Sequence, residues 1–241
     1  MQSVIFKDLG LIDYKTAWDY QEKLLQQNVA VKTALRNDPS LATKIDTQHY
    51  FLFCEHQPVY TLGKSGDMKN VLMSEKELDA ANIQFFKTNR GGDITFHGLQ
   101  QIVGYPILDL EKIYTDIGKY LRSLEEIIIK TVAEYGIIGG RSEGETGVWI
   151  NPDIKGEERK ICAIGVRCSR WITMHGFALN VNTDLNYFKN IIPCGIENKQ
   201  VTSIEKELGR KVDFEEVKEK IKENFRKVFD VEFLMEETEK L

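Results

Sequence analysis

The chain has 241 residues, of which 42% are hydrophobic and 29% charged, and its formal net charge is −5. This length can bury a sizeable core, and five prolines without a Gly/Ser-rich linker predict one domain over residues 1–241. The negative charge argues against nucleic-acid binding and against attraction to a membrane surface.

Targeting and metal-binding signals are missing from the sequence. No apolar run is long enough to span a bilayer, and residues 1–10 lack the pattern of a signal peptide. Four cysteines occur without a CxxC pair, and the histidines show no HExxH spacing. We therefore expect a cytoplasmic protein with reduced thiols, no metal and no cofactor.

Hydrophobic spacing and capping signals predict alternating helices and strands. In chain order these are a strand at 3–7, a helix at 14–36 capped by Asp13, a strand at 49–55, a helix at 74–81 with a Ser74/Glu77 capping box, strands at 83–89 and 101–110, a helix at 116–135 that begins at Asp116 and stops at Gly136, strands at 147–150, 160–168 and 171–181, a helix at 213–229 and a strand at 231–235.

Residues 55–67 contain Pro58, Gly63 and Gly66 and are predicted to form a loop. Strands 160–168 and 171–181 are expected to pair. Because the strands cluster in mid-chain, with helices before, between and after them, the pattern predicts an α+β fold. Its centre is a mixed or antiparallel sheet flanked by helices, not a repeating βαβ array.

Three short segments carry residues suited to chemistry. In RGGDITFHG (90–98), two glycines allow close backbone approach, and Arg90 and His97 bracket them with a cation and an imidazole. A plain turn between strands explains this segment about equally well. The segment has neither GxxxxGK[ST] nor GxGxxG, so it is not a phosphate loop.

The second segment, KICAIG (160–165), begins with Lys160. At its end, Gly165 has no side chain to block a ligand from its backbone amide. By itself, a lysine at a strand start is more often simply solvated. The third segment is PCG (193–195), a constrained turn that presents the thiol of Cys194, although an inert loop thiol is an equal alternative. Cys54 and Cys162 lie in apolar strands and are expected to be core residues.

Together these segments resemble the octanoyltransferases of lipoate biosynthesis, which show RGG-x-x-T-aromatic-H, K-x-x-A-x-G and P-C-G in this order. Secondary matches are EHQPVYTLG (55–63), HGFALNV (175–181) and VTSI (201–204). The resemblance spans residues 50–205, most of the chain. It implies a fold like the catalytic domain of biotin and lipoate protein ligases.

One departure from the family pattern follows the histidine. The family continues with HGPGQ, whereas this chain has HGLQQ, with Leu99 and Gln100 in place of proline and glycine. Gln101 and Tyr105 still match. The departure suggests a less rigid loop, or one shaped for a different acyl chain or carrier.

The resemblance implies transfer of an octanoyl group from octanoyl-acyl carrier protein to a lysine of lipoyl domains of 2-oxoacid dehydrogenases or of the glycine-cleavage H protein. Cys194 would carry the acyl group as a thioester, and Lys160 would lower the thiol pKa as an ammonium or accept its proton as an amine. Lys160 or His97 would deprotonate the acceptor lysine. The implied substrate-binding residues are Arg90, Gly91, Gly92, Asp93, Ile94, Thr95, Phe96, His97, Ala163, Ile164, Gly165, Gly176, Phe177 and Ala178.

Three alternatives remain at this point. An ATP-dependent lipoate–protein ligase shares the RGG region, but it does not need the PCG cysteine and usually carries a further C-terminal domain. A non-catalytic carrier-binding or regulatory protein would not depend on Cys194. A thiol hydrolase would release free octanoate without an acceptor.

Overall fold

A computed structural model describes residues 2–192 and 200–235. The strands are β1 (Gln2–Leu11), β2 (His49–Glu55), β3 (Val59–Leu62), β4 (Gln84–Lys87), β5 (Ile94–His97), β6 (Gln101–Ile107), β7 (Gly139–Gly140), β8 (Val148–Ile150), β9 (Arg159–Ser169), β10 (Ile172–Asn180), β11 (Gln200–Val201) and β12 (Val231–Met235). The α-helices are α1 (Tyr14–Asn37), α2 (Glu75–Ala80), α3 (Ile117–Ala133), α4 (Ile204–Leu208) and α5 (Phe214–Phe229).

Two sheets organise these elements. The large sheet has the order β12-β1-β2-β6-β10-β9-β8-β7, and β11 pairs with β9. It is mixed, because β1 runs parallel to both β2 and β12, and β11 runs parallel to β9, whereas the pairs β2–β6, β6–β10, β10–β9 and β9–β8 are antiparallel. The small sheet has the order β4-β3-β5. The predicted α+β fold with a mixed sheet flanked by helices is confirmed.

Apolar side chains alternate between the two faces of the large sheet, as strand geometry requires. One face packs against α3 and α5, where the ring of Phe51 stacks on that of Phe225 with centroids 4.1 Å apart. The other face packs against α1 through Leu52, Val103 and Ala178. The small sheet has its own apolar cluster, and it meets α1 where Gln84 donates a hydrogen bond to Asp13 (3.0 Å).

Helix ends follow the predicted local chemistry. Asp13 accepts a hydrogen bond from the amide of Thr16 (3.0 Å), which satisfies a donor that the first turn of α1 leaves unpaired. Ser74 and Glu77 form the predicted capping box of α2. Asp116 caps α3, and the chain turns at Gly136 with a φ of +75°.

The prediction of a loop over 55–67 is wrong in its middle, because Val59–Leu62 forms β3. This strand lies at the centre of the small sheet between β4 and β5, and all four of its residues are buried, so no polar–apolar alternation marks it. Strands β5, β7 and β11 and the short helix α4 were also not predicted. Within the described part of the chain, no helix has the length and apolarity needed to cross a bilayer.

Candidate active site

A cavity of about 380 Å³ lies between the small sheet and strands β6, β9 and β10 of the large sheet. Most of the residues singled out from the sequence line it. They are Arg90, Gly92, Asp93, Ile94, Thr95, His97, Lys160, Ala163, Ile164, Gly165, Gly176, Phe177 and Ala178.

The RGG segment is fixed against strand β9 by its backbone. The amide of Gly91 donates to the carbonyl of Val166 (2.9 Å). A Cβ added at Gly165 would lie 2.8 Å from the carbonyl oxygen of Gly91, so only glycine permits this close approach. The two predicted glycine segments therefore come together in space.

Arg90 and His97 are joined through Thr61. The guanidinium of Arg90 donates to the hydroxyl oxygen of Thr61 (2.9 Å), and the Thr61 hydroxyl lies 3.3 Å from His97 Nε2. The amide nitrogen of Gln101 donates to the side-chain oxygen of Asn180 (2.9 Å), so its oxygen accepts from His97 Nδ1 (3.0 Å). Both ring nitrogens of His97 are thus hydrogen-bonded, with the proton on Nδ1.

The histidines of this chain are all buried in the fold. Burial lowers the pKa of His56 and His49 to about 4 each and the pKa of His175 to about 3. Burial, helped by the nearby His56 and Arg90, lowers the pKa of His97 well below its ordinary value. The four imidazoles are therefore neutral at pH 7.

We expect the protein to become less stable as the pH is lowered, within a window set by the pKa values of these histidines. The unfolded chain takes up their protons near pH 6.5, before the folded protein does, so stability is complete above that pH and falls as the pH drops toward about 4. Each histidine contributes up to ~1.4 kcal/mol per pH unit within the window. Urea unfolding at about pH 7.5, 6 and 5 measures this effect. Equal free energies of unfolding across that range would contradict it.

Lys160 lies at the start of β9, with 9% of its surface exposed. Its ammonium lies 4.5 Å from the ring centroid of Trp149, a cation–π contact. Strand β11 runs directly alongside, with Val201 as the register partner of Lys160 and the amide of Thr202 donating to the Lys160 carbonyl (2.9 Å).

Cys194 lies outside the described residues, as do Pro193 and Gly195. The described residues on either side of this segment reach the cavity, because Phe188 and Val201 both line it. Ile192 is the last described residue before this segment, and its amide donates to the carbonyl of Asn70 (2.9 Å).

Comparisons with known proteins identify the family of this chain. The family model described as "Lipoyl protein ligase A/B catalytic domain" matches residues 13–226. The chain belongs to this family. An octanoyltransferase from Flavobacterium psychrophilum is 60% identical over 95% of this chain and 97% of its own length, and one from Christiangramia forsetii is 57% identical over 96% and 97%.

Solved structures share the lipoyl protein ligase A/B fold with this chain. A bi-partite lipoate protein ligase from Thermoplasma acidophilum superposes with a TM-score of 0.66 at 15% identity, covering 99% of this chain and 88% of that one. A biotin protein ligase from Aquifex aeolicus superposes with a TM-score of 0.51 at 12% identity, covering 95% and 71%. At these identities the likeness concerns the fold alone, and it confirms the predicted resemblance to biotin and lipoate protein ligase catalytic domains.

Two of the residues that the family resemblance implied do not line the cavity. Gly91 instead holds its segment to β9 through the backbone, as described above. Phe96 points into the apolar cluster of the small sheet, where its ring stacks on Tyr187 with centroids 4.6 Å apart. Neighbouring residues of β5 face opposite sides, so Thr95 and His97 face the cavity and Phe96 faces the cluster; Ile94, at the start of the strand, belongs to the cluster and also reaches the cavity.

Several lining residues were not predicted as site residues. Tyr14 begins α1, lines the cavity, and stacks on His97 with ring centroids 5.9 Å apart. His175 lines it with a positive φ of +57°, and its Nε2 donates to the side-chain oxygen of Asn89 (2.7 Å). The sequence pattern did not identify Tyr14 as a site residue, because an apolar position on a helix predicts core packing equally well.

The HGLQQ departure changes a turn outside the cavity. Gln100 adopts a φ of +60°, the left-handed region that favours the glycine of the family pattern. Its amide donates to the carboxylate of Glu55 (2.6 Å), and its carbonyl accepts from the hydroxyl of Thr183 (2.9 Å). These bonds hold the turn in place, and neither Leu99 nor Gln100 lines the cavity.

Proposed function

We propose that this protein is an octanoyltransferase of lipoate biosynthesis that carries the acyl group on Cys194. The donor is octanoyl-acyl carrier protein, and the acceptor is a lysine of a lipoyl domain of 2-oxoacid dehydrogenases or of the glycine-cleavage H protein. Octanoyltransferases 60% and 57% identical to this chain support the activity. We place the protein in the cytoplasm and treat residues 1–241 as one catalytic domain.

The observation that carries the proposal is that Lys160 lies on the wall of a cavity that is also lined by described residues before and after the segment containing Cys194. Phe188 precedes that segment, Val201 follows it, and both line the same cavity as Lys160. An ammonium close to a thiol favours the thiolate, which is the nucleophilic form.

In the first half-reaction, the thiolate of Cys194 attacks the thioester carbonyl of the donor. A new C–S bond forms, the bond to the carrier thiol breaks, and the proton from Cys194 ends on the departing thiol. One thioester replaces another, so the step needs no ATP. We assign the stabilisation of the negative oxygen of the intermediate to backbone amides near Gly165, a residue that lines the cavity.

In the second half-reaction, the acceptor lysine attacks the acyl-enzyme and forms an amide, and the thiol of Cys194 is released. A base must remove one proton from the attacking amine. Lys160 is the better candidate, because His97 already uses Nδ1 and Nε2 in hydrogen bonds to Gln101 and Thr61. We assign His97 a structural role, because its hydrogen bond to Thr61 helps to hold Thr61 and Arg90 in position at the cavity.

The acyl chain binds against small and apolar side chains of the cavity. Val103, Ala163, Ile164 and Ala178 line the cavity on the large sheet. Each methylene buried there stabilises the complex by ~0.8 kcal/mol, so an eight-carbon chain gains substantial binding from length alone.

A transfer assay without nucleotide tests the function. The protein is incubated with octanoyl-acyl carrier protein and an unmodified lipoyl domain, and a lipoyl domain with arginine at the acceptor lysine is the control. We expect octanoylation of the lipoyl domain that carries the acceptor lysine and none of the arginine variant. Modification that requires ATP and free octanoate would instead identify a ligase, and release of octanoate without amide formation would identify a hydrolase.

A further inference from the structure

Glu125 in α3 is a fully buried carboxylate, and its partners come from two places in the chain. Its Oε2 accepts from Arg122 Nη1 (2.7 Å) and from Arg141 Nε (3.0 Å), whereas its Oε1 accepts from the amide of Gly147 (3.1 Å). A buried carboxylate is tolerated only with such partners. Here Arg141 and Gly147 are the two ends of one connection, residues 141–147, between β7 and β8.

The connection 141–147 closes one side of the cavity. Gly144, Glu145 and Thr146 line it, and the segment turns where the amide of Glu145 donates to the carbonyl of Ser142 (3.2 Å). Arg141 also contacts the carboxylate of Glu126 (2.8 Å) and the carbonyl of Arg122 (3.2 Å), but Glu125 is the carboxylate that binds both Arg141 and Gly147, the two ends of the segment.

The same carboxylate holds the backbone that touches Lys160. Gly147 has a φ of +122°, and a Cβ there would lie 2.6 Å from the carbonyl oxygen of Cys162 and 3.5 Å from Lys160 Cε. The Gly147 backbone is thus packed against the Lys160 side chain, and its amide points to Glu125.

We propose that Glu125 is a positioning residue that clamps both ends of residues 141–147, so that residues 144–146 close the Lys160 end of the cavity and keep water from the acyl-enzyme. The inference rests on the octanoyl transfer proposed above. It assigns the clamp a role in the second half-reaction, where two nucleophiles compete for one thioester.

The competition has a defined chemistry. Water attacking the carbonyl breaks the C–S bond, gives octanoic acid and returns a proton to the sulfur of Cys194. The acceptor lysine breaks the same bond but gives the amide. A closed wall excludes water from the carbonyl until the acceptor arrives, which favours the amide.

The test compares Glu125→Gln and Arg141→Gln with a control, Lys119→Gln. Glutamine at 125 keeps the volume but loses the charge. Arg141 is 38% exposed, so its variant loosens one end of the segment without disturbing the core. Lys119 is an exposed residue of the same helix, and its ammonium lies 4.4 Å from the ring centroid of Tyr114.

Two readouts are taken on the full-length protein. The first is the fraction of octanoyl groups released as free acid, relative to lipoyl-domain amide, after acylation by octanoyl-acyl carrier protein. The second is amide hydrogen exchange of residues 141–150. In both clamp variants we expect about tenfold more free acid and about tenfold faster exchange, whereas the rate of acylation stays within about threefold. The control is expected to match the wild type.

An unchanged partition between acid and amide in both clamp variants would overturn the inference, even if exchange became faster, because the segment would then be loosened without admitting water. If Glu125→Gln does not fold, Arg141→Gln decides alone. Wild-type protein that accepts no octanoyl group would instead refute the proposed function, which separates the two failures.

Discussion

Replacing Lys160 with methionine is expected to slow octanoyl transfer by ~10²–10⁴-fold. Methionine keeps the apolar stem over Trp149 but removes the charge and the proton-accepting amine. Acylation from octanoyl-acyl carrier protein should also need a higher pH, because the thiol loses the cation that favours its ionisation. The measurement is the pH dependence of single-turnover acylation.

Lys160→Arg separates the two roles of the lysine. Arginine keeps the positive charge but cannot accept a proton at neutral pH, so acylation should largely survive while transfer to the lipoyl domain fails. Lys155→Met, at an exposed loop position, is the matched control and should behave as the wild type. Wild-type acylation and transfer rates in Lys160→Met would show that the lysine is only structural.

Replacing Cys194 with alanine is expected to lower transfer by at least ~10³-fold, because the covalent route is lost. The other cysteines are poor nucleophiles. Burial raises the pKa of the Cys54, Cys162 and Cys168 thiols, and Cys54 and Cys162 are fully enclosed. Cys168→Ala is therefore the control, with unchanged transfer rates expected. Equal rates for Cys194→Ala and the wild type would remove the thioester from the mechanism.

Local signals predicted most of the fold, because they act over a few residues. The caps at Asp13, Ser74 and Asp116 mark real helix starts. The pairing of β1 with β12 joins opposite ends of the chain, with Gln2 opposite Val231, and no local pattern specifies it. Strand β3 was missed because burial on both sides removes the alternation that identifies a strand.

The candidate site also contains residues that motifs predict and residues that only the fold brings to the cavity. Ordered motifs identified Arg90, His97 and Lys160, and the fold brings them to one cavity. Tyr14 and His175 reach that cavity through tertiary contacts, because Tyr14 stacks on Phe86 and His97 of the small sheet and His175 hydrogen-bonds to Asn89. Alternation along β5 separates Phe96 from Thr95 and His97, but it would also have excluded Ile94, which does line the cavity.

The identity of the acylated atom tests the central claim most directly. The wild-type protein is incubated with octanoyl-acyl carrier protein without acceptor, quenched in acid, digested with trypsin, and searched for peptides that gained one octanoyl group. We predict a single adduct in the peptide 190–199, at the sulfur of Cys194 and sensitive to hydroxylamine as a thioester is. An adduct on a lysine or on another cysteine, or transfer to the lipoyl domain with no adduct at any time, would contradict the account.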